Sequence, residues 1–419
     1  MLFLYRNCNQ AVQDTAEQLT EAAMSLNPVE LVTPINLAQE KKLWIDQVEN
    51  HGVFTNPRFE YDHQKLVSAV ETGNRVASAA RTLQHICSPR TNTDEVIMRI
   101  LRHRIDDALL TANIAASILL GNDAATTKYV QEKYGVPDQM LVLACQRAAR
   151  IPELAEPKIE SSFTKEKQAE LKAEVHNAAS ISTAFQNAIY RYQIDNWDVV
   201  VTDQASSIDV RNKTSNGRPQ VVIPTTREVN GLKLAELIGH EIECHLRDSA
   251  NAEAAFTELL SRTPLAALVP LLAKSDDEML YEGHAKLSDV AVNGSQAIPA
   301  PYYTIAIDLA LSGKSFAEIG EYIYGLRLEA GESPKVVAKN TWTTVYRVMR
   351  GATHTTGGYA FTKDYAYFAG YRIAREIAES APYILDFATL TLDEITALSS
   401  INVDLRNPKY PALNLATAR

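Results

Sequence analysis

Two histidines five residues apart, with a glutamate beside the first, constrain the local structure of this chain more than any other feature. Residues 234–251 read LAELIGHEIECHLRDSAN, and the apolar positions recur at helical spacing. Within this stretch His240, Glu241 and His245 form the pattern H-E-x-x-x-H. On a regular helix, residues five apart point roughly 140° away from each other. The pattern therefore either is no site, or requires a π-bulge that brings both imidazoles to one face.

The residue types of this pattern suit a hydrolytic zinc site. Neutral imidazoles are good zinc ligands, and a carboxylate beside the metal can take a proton from water. This favours His240 and His245 as ligands and Glu241 as general base. Cys244 follows His240 by four residues, so an undistorted helix would instead offer a His–Cys pair. A third interpretation is that all four are ordinary polar residues on an amphipathic helix.

A second helix offers the third ligand. Residues 275–278 read SDDE, which is a favourable first turn for a helix that continues through YEGHA at residues 281–285. Glu282 in this helix would complete a His-His-Glu set, which leaves the fourth zinc position to water. His284 is a competing candidate, although it points elsewhere on a helix, so the two cannot easily serve together.

Helical periodicity dominates the rest of the chain. We predict a helical N-terminal region over residues 1–150 and a metallopeptidase-like catalytic domain over residues 151–419, with a proline-containing boundary at residues 150–163. A long polar helix is expected over residues 164–192. The predicted fold class is α+β and predominantly helical.

Short β-branched runs between residues 197 and 224 predict a small, mainly antiparallel sheet directly before the candidate metal helix, which should begin near Gly231. Asn216-Gly217 is a strong turn pattern between the second and third runs. A sheet edge beside a metal cleft could bind an extended peptide as an added strand. A purely structural hairpin is an equally good interpretation.

Composition excludes several classes of protein. The chain has 419 residues, of which 46% are hydrophobic, and a net charge of −10, so no basic surface argues for a nucleic-acid partner. Four scattered cysteines without a C-x-x-C pair are typical of a reducing compartment. The N-terminus does not have the pattern of a signal peptide, and the most apolar segment, residues 108–120, is too short to cross a bilayer. We therefore expect a cytoplasmic protein without a membrane span.

Several of these motifs together resemble one family, the microtubule-associated tyrosine carboxypeptidases and bacterial flavohaemoglobin-expression-modulating QEGLA-motif proteins. Its hallmarks are an H-E-x-x-x-H helix, a Gln-Glu-Gly-Leu-Ala motif and an Arg-Gly segment followed by Thr-Lys-Asp. The resemblance covers residues 163–371. The corresponding residues are His240–His245, Tyr281–Ala285, Arg350-Gly351 and Phe361–Asp364. The chain departs from the motif at Tyr281, where the family has Gln, and at His284, where it has Leu.

The resemblance implies a zincin-like metallopeptidase core that holds Zn²⁺ and removes a C-terminal residue, with an aromatic residue as one candidate. If the roles of the family's residues are carried over to this chain, His240, His245 and Glu282 would bind zinc, and Glu241 would be the general base. The substrate would be the C-terminus of a peptide or protein.

The substrate's terminal carboxylate needs a positive partner, for which we predict Arg350 and Lys363. Tyr367 lies in a tyrosine-rich stretch after two glycines and is a further predicted substrate-binding residue, although such tyrosines are equally often packing residues. The alternative function is a non-catalytic, metal-stabilised peptide-binding or regulatory protein. It would be favoured if Cys244 or His284 supplied a fourth ligand and closed the metal site.

Overall fold

The computed structural model is predominantly helical, with two small sheets, in agreement with the predicted α+β class. It describes residues 10–86, 92–150, 161–203, 205, 207–211, 218–261, 263, 265–273, 278–294 and 301–380. The predicted boundary at residues 150–163 lies largely outside the described residues, as do the Asn216-Gly217 turn, residues 275–277, Cys8 and Cys87. The division into two domains at residue 150 stays a prediction.

The helices alternate with short connections along the chain. Local capping explains their starts: the side chains of Ser315 and Glu318, for example, each accept a hydrogen bond from the other's backbone N–H and so form a capping box. The α-helices are α1 (Gln10–Met24), α2 (Pro28–Leu31), α3 (Leu37–His51), α4 (His63–Ile86), α5 (Asn92–Leu119), α6 (Asp123–Tyr134), α7 (Gln139–Arg150), α8 (Lys165–Ala173), α9 (Ala178–Arg191), α10 (Gly231–Leu237), α11 (Arg247–Leu260), α12 (Val269–Leu272), α13 (Glu278–Asn293), α14 (Tyr302–Leu311), α15 (Phe316–Glu329), α16 (Pro334–Met349) and α17 (Ala366–Ser380).

Five strands form the two sheets: β1 (Val175–Asn177), β2 (Asp198–Thr202), β3 (Asp209–Arg211), β4 (Gln220–Pro224) and β5 (Glu228–Asn230). Strand β1 pairs antiparallel with β5. In the three-stranded sheet β4 is central, parallel to β2 and antiparallel to β3. The prediction of a mainly antiparallel sheet was wrong here, because the longest pairing, β2 with β4, is parallel. Burial of β4 between two neighbours accounts for its unbroken apolar run.

The predicted helix over residues 164–192 is also wrong in one respect, because it is interrupted. Helix α8 ends at Ala173, and β1 follows before α9 begins. The Asn177 side chain accepts a hydrogen bond from the backbone N–H of Ser180 and caps α9. Pairing of β1 with β5 thus replaces what would have been the middle of one long helix.

Two hydrophobic clusters hold the described residues together. The larger one contains residues from both ends of the chain: the Trp44 ring on α3 lies 5.6 Å from that of Trp342 on α16 and 6.1 Å from that of Phe316. The smaller one joins α9, the three-stranded sheet and α10, and includes Phe185 and Ile242. The site described below lies where elements of the two clusters meet.

The apolar segment at residues 108–120 falls almost entirely within α5, and its residues Ala108, Ile114 and Ile118 are buried in the larger cluster. It is a core helix, as predicted. None of the helices in the described parts of the chain combines the length and hydropathy needed to span a membrane.

Candidate active site

The histidine-bearing helix changes its winding at the H-E-x-x-x-H motif. Helix α10 begins at Gly231, as predicted, and runs into a π-helical segment, Ile238–Leu246, which continues as α11. Wider π-type turns bring residues five apart onto one face. The ring centroids of His240 and His245 consequently lie 4.8 Å apart, with the rings nearly perpendicular. Of the two outcomes that the sequence left open, the structure shows the distorted helix that a shared site requires, and the distortion extends over nine residues.

Helix α13 brings a carboxylate to the two imidazoles. Oε2 of Glu282 lies 3.9 Å from Nε2 of His240 and 3.9 Å from Nε2 of His245. One candidate ligand atom from each of the three residues lies within 4.8 Å of the other two. The structure thus brings together the three predicted metal ligands in a geometry that could hold one ion.

Two glycines permit the close helix packing that builds this cluster. A Cβ atom at Gly239 would lie 2.2 Å from Oγ of Ser288 on α13. A Cβ atom at Gly283 would lie 2.2 Å from the backbone oxygen of Gly370 on α17. Because real Cβ contacts are never this short, the absence of a side chain at both positions sets how near α13 comes to its neighbours.

A second carboxylate on α13 orients His240. Nδ1 of His240 lies 3.1 Å from Oδ1 of Asp289, whose other oxygen accepts a 2.6 Å hydrogen bond from Nζ of Lys286. Burial by itself lowers the pKa of His240, but the contact with Asp289 and the charge of Glu241 raise it overall. Burial likewise raises the pKa of Asp289, yet its contacts with His240 and Lys286 lower it overall. Asp289 therefore holds the ring with Nε2 directed at Glu282.

His245 has a different environment. Its ring stacks on that of Tyr281 with centroids 3.8 Å apart, and its Nδ1 atom is buried without a hydrogen-bond partner. Burial, followed by the positive charges of His240 and Lys363, lowers the pKa of His245 well below its usual value. The imidazole is therefore neutral, which is the form that binds metal ions. Tyr281, a departure from the family motif, is the residue that packs against this histidine.

Glu241 lies next to the cluster and lines the same cleft. Burial raises the pKa of Glu241 to about 7, His240 opposes this shift, and the negative charges of Glu282 and Asp209 add to it. A carboxyl group with a pKa near neutrality can both accept and release a proton under ordinary conditions.

The two competing ligands lie outside the cluster. Cys244 is buried, and burial raises the pKa of its thiol, so it is a poor thiolate ligand. Nδ1 of His284 lies 3.4 Å from Oδ2 of Asp248. Within the described ranges, the group of ligand atoms that includes His240 contains neither Cys244 nor His284.

The cluster lines a cleft of about 800 Å³. The three predicted substrate-binding residues, Arg350, Lys363 and Tyr367, all line it too. Nζ of Lys363 lies 3.9 Å from Oε1 of Glu282. Burial raises the pKa of the Tyr367 hydroxyl group.

Arg347 is a cleft residue that we did not single out from the sequence. Its guanidinium forms an ion pair with Asp364 and donates a 3.0 Å hydrogen bond to the Tyr367 hydroxyl. It also lies over the rings of Tyr303 and Tyr367, at 5.1 Å and 5.2 Å from their centroids. Its side chain is 28% exposed, whereas that of Arg350, which contacts the other oxygen of Asp364, is 6% exposed. Arg347 is thus the more accessible guanidinium.

Comparison with family models identifies one relationship. Residues 276–385 match the family described as microtubule-associated tyrosine carboxypeptidase. The match confirms the predicted family resemblance. The matched part of this chain includes Glu282, Asp289 and the cationic wall of the cleft, by which we mean Arg347, Arg350 and Lys363. The histidine helix precedes the matched part. Searches of curated proteins and of solved structures gave no significant match.

Proposed function

We propose that this chain is a zinc-dependent carboxypeptidase that removes a C-terminal residue from a peptide or protein. The proposal is carried by one observation: Glu241 lies in the same cleft as the cluster of His240, His245 and Glu282. Among the cationic side chains that line this cleft are Arg347, Arg350 and Lys363. A metallopeptidase needs a metal site, a base and, to act only at chain ends, a positive partner for the terminal carboxylate.

The cluster fits a zinc ion in three respects. It offers two imidazoles and one carboxylate, which is a standard catalytic set with one position left for water. His240 has its Nδ1 held by a carboxylate, the arrangement usual for zinc-binding histidines. His245 is held neutral by its surroundings. When bound by these residues, zinc would polarise the scissile carbonyl and lower the pKa of a water molecule.

Glu241 would act as general base and then as general acid. Its carboxylate would take a proton from the attacking water as the oxygen bonds to the carbonyl carbon. It would then donate that proton to the amine nitrogen as the C–N bond breaks. Burial of Glu241 favours the first step, because it raises the pKa of the carboxyl group and so makes the carboxylate a stronger base toward the attacking water.

The cationic wall would bind the terminal carboxylate. Arg347 and Arg350 share the single carboxylate of Asp364, so two guanidinium charges face one fixed negative charge. Lys363 adds a further positive charge beside the cluster. Asp364 and the hydroxyl of Tyr367 would position Arg347, whose fork of donors matches a carboxylate in two-point contact.

The family description names tyrosine as the residue removed. We extend this to an aromatic C-terminal residue here, since the rings of Tyr281 and Tyr367 line the cleft and can pack against another ring. We also propose a cytoplasmic location, which is supported by the free thiols of Cys145 and Cys244 among the described cysteines.

The test is a mass-spectrometric assay of zinc-loaded protein with synthetic peptides that differ only in their C-termini. One series ends in Tyr, Phe, Ala or Lys with a free carboxylate, and a matched series carries a terminal amide. We expect release of single terminal residues from the free acids, fastest for the aromatic ones, and none from the amides. Internal cleavage, or equal cleavage of acids and amides, would refute a carboxypeptidase.

A further inference from the structure

Two residues of the cationic wall lie on short connecting segments. Arg350 directly follows α16, and Lys363 belongs to a 3₁₀ turn, Thr362–Tyr365, that precedes α17. Asp364, which pairs with both arginines of the wall, is in the same turn. Side chains on such connections are positioned less precisely than those on long helices, unless other contacts fix the backbone. The geometry of the wall therefore depends on what holds these two segments.

Helix α6, in the N-terminal helical region, holds the segment that follows Arg350. Oδ1 of Asp123, at the start of α6, accepts a 2.7 Å hydrogen bond from the backbone N–H of Thr353 and a 2.8 Å one from its hydroxyl. Oδ2 of Asp123 accepts a 2.9 Å hydrogen bond from the backbone N–H of His354. Hydrogen bonds to a charged acceptor are about twice as strong as neutral ones. Asp123 therefore fixes the backbone shortly after Arg350.

The other end of α6 contacts the segment that carries Lys363. The backbone oxygen of Tyr134 accepts a 3.0 Å hydrogen bond from the Tyr365 hydroxyl, and the ring centroids of Tyr134 and Phe361 lie 5.3 Å apart. The guanidinium of Arg350 lies on the Phe361 ring, 4.5 Å from its centroid. Helix α6 thus contacts one segment at each of its ends, and so relates the position of Arg350 to that of the 3₁₀ turn.

Tyr61 adds a further contact from the N-terminal helical region. Its hydroxyl accepts a 2.8 Å hydrogen bond from the backbone N–H of Gly351 and donates a 2.9 Å one to the backbone oxygen of Ala352. The chain turns here, because Gly351 has a φ of +91°, which favours glycine. The Tyr359 hydroxyl donates a 2.6 Å hydrogen bond to the backbone oxygen of Arg350. Two tyrosine hydroxyls therefore fix the turn at which Arg350 leaves α16.

We propose that α6 and Tyr61 position the cationic wall, with Asp123 as the main positioning residue. These residues lie outside the part of the chain that matches the family model, which begins at residue 276. The inference rests on the proposed function, since it takes the wall to bind a terminal carboxylate. Through these contacts the N-terminal helical region determines how strongly the site prefers a free C-terminal carboxylate over an uncharged chain end.

Charge and position predict opposite effects for the removal of the Asp123 carboxylate. Its negative charge repels a bound carboxylate, so neutralisation by itself should strengthen the binding of a free acid. Loss of the hydrogen bonds to residues 353–354 should instead weaken this binding, because the backbone next to Arg350 is released. A merely structural role would leave the preference of the folded protein unchanged. The direction of the effect therefore distinguishes the three explanations.

The experiment measures, by isothermal titration calorimetry, how zinc-loaded Glu241→Gln binds an N-acetylated alanyl-tyrosine dipeptide as the free acid and as the amide. Asp123→Ala, Asp123→Asn and Tyr61→Phe are introduced into this protein. Asp138→Ala is the matched control, because the exposed Asp138 also accepts a hydrogen bond from a backbone N–H at a helix start, that of Leu141 in α7. Thermal unfolding verifies folding, and Tyr61→Phe, which changes no charge, tests the proposal even if Asp123→Ala does not fold.

We expect Asp123→Ala to lower the preference for the acid over the amide by about tenfold, the lower end of what a hydrogen bond to a charged group contributes. Asp123→Asn keeps one oxygen that can accept from Thr353, so it should lower the preference less, as should Tyr61→Phe. Zinc content and the affinity for the amide should stay unchanged in all variants. Asp138→Ala should keep the full preference.

An unchanged or increased preference in the Asp123 variants and in Tyr61→Phe would overturn the proposal, and so would an equal loss in Asp138→Ala. A preference that the variants lose, although the zinc-loaded wild type cleaves no peptide, would refute the carboxypeptidase and support the positioning role. Cleavage by the wild type with the preference intact in every variant would refute the positioning role alone. No preference in Glu241→Gln itself would refute the carboxylate-binding wall and with it both proposals.

Discussion

Nδ1 of His240 lies 3.1 Å from the buried carboxylate of Asp289, and this contact directs Nε2 of the same ring toward Glu282. The carboxylate and the candidate metal ligand are seven residues apart, two turns along one face of α13. One helix therefore supplies both a candidate ligand and the group that orients another candidate ligand. Such partners of zinc-binding histidines commonly determine metal affinity.

Replacing Asp289 by Asn should weaken zinc binding by roughly 10- to 100-fold, the usual cost of losing such a partner. The carboxylate that orients the His240 ring is lost, while the three ligands remain. Competition with a chromophoric chelator measures the affinity, and Asp46→Asn, at an exposed residue of α3, is the control. Equal affinity of Asp289→Asn and the wild type would contradict the role of Asp289.

Metal content should distinguish a zinc site formed by His240 and His245 on the π-helical segment from one formed by His240 and Cys244 on a regular helix. His245→Ala should lose stoichiometric zinc, because a His and a Glu alone make a weak site. Cys244→Ala should keep it, because Cys244 lies outside the ligand cluster. Elemental mass spectrometry of the purified proteins measures both. Zinc retained in His245→Ala and lost in Cys244→Ala would place the metal on the other helix face.

The two arginines that share Asp364 should have different phenotypes. Arg347→Ala should lower kcat/KM for free-acid peptides by roughly 10- to 100-fold, the equivalent of one charge-assisted hydrogen bond, with little loss of stability. Arg350→Ala should instead destabilise the fold by about 3 kcal/mol, because it disrupts a buried ion pair. Steady-state kinetics and denaturant unfolding distinguish these outcomes. Reversed phenotypes would make Arg350 the carboxylate-binding residue.

Helix packing at the cluster gives a stability prediction. Gly283→Ala places a methyl group against the backbone of α17 and should cost roughly 1–3 kcal/mol or more. Gly325→Ala, in α15 with open space around it, should be neutral or stabilise by roughly 0.5–1 kcal/mol. Urea unfolding of both variants measures the difference. Equal stability of the two would mean that the α13–α17 contact is looser than described.

The five-residue spacing of His240 and His245 reduced the possibilities for the histidine helix to two. Because this spacing is incompatible with a shared metal on a regular helix, the sequence allowed either no shared site or a wider turn, and the wider turn is present. Glu282 could be chosen as a candidate third ligand because it lies in a second predicted helix, although His284 remained a competitor. Helix periodicity was likewise sufficient to predict that α5 lies in the core.

Other features depend on contacts that sequence patterns do not contain. Asp289 lies on the same face of α13 as Glu282 because the two are seven residues apart. No sequence pattern shows that this face contacts His240. Arg347 and Arg350 differ in accessibility only through tertiary packing around Asp364. The parallel pairing of β2 with β4 depends on how the chain crosses the sheet, which short β-branched runs do not reveal.

The most direct test of the proposed mechanism measures zinc content and turnover in the same samples of wild type and Glu241→Gln. The variant keeps all three candidate ligands and removes only the base, so we predict stoichiometric zinc in both proteins. Release of C-terminal tyrosine should fall by roughly 10²- to 10⁴-fold, the usual contribution of a general base. Glu258→Gln, at an exposed residue of α11, should match the wild type. Full turnover by zinc-loaded Glu241→Gln would contradict the mechanism.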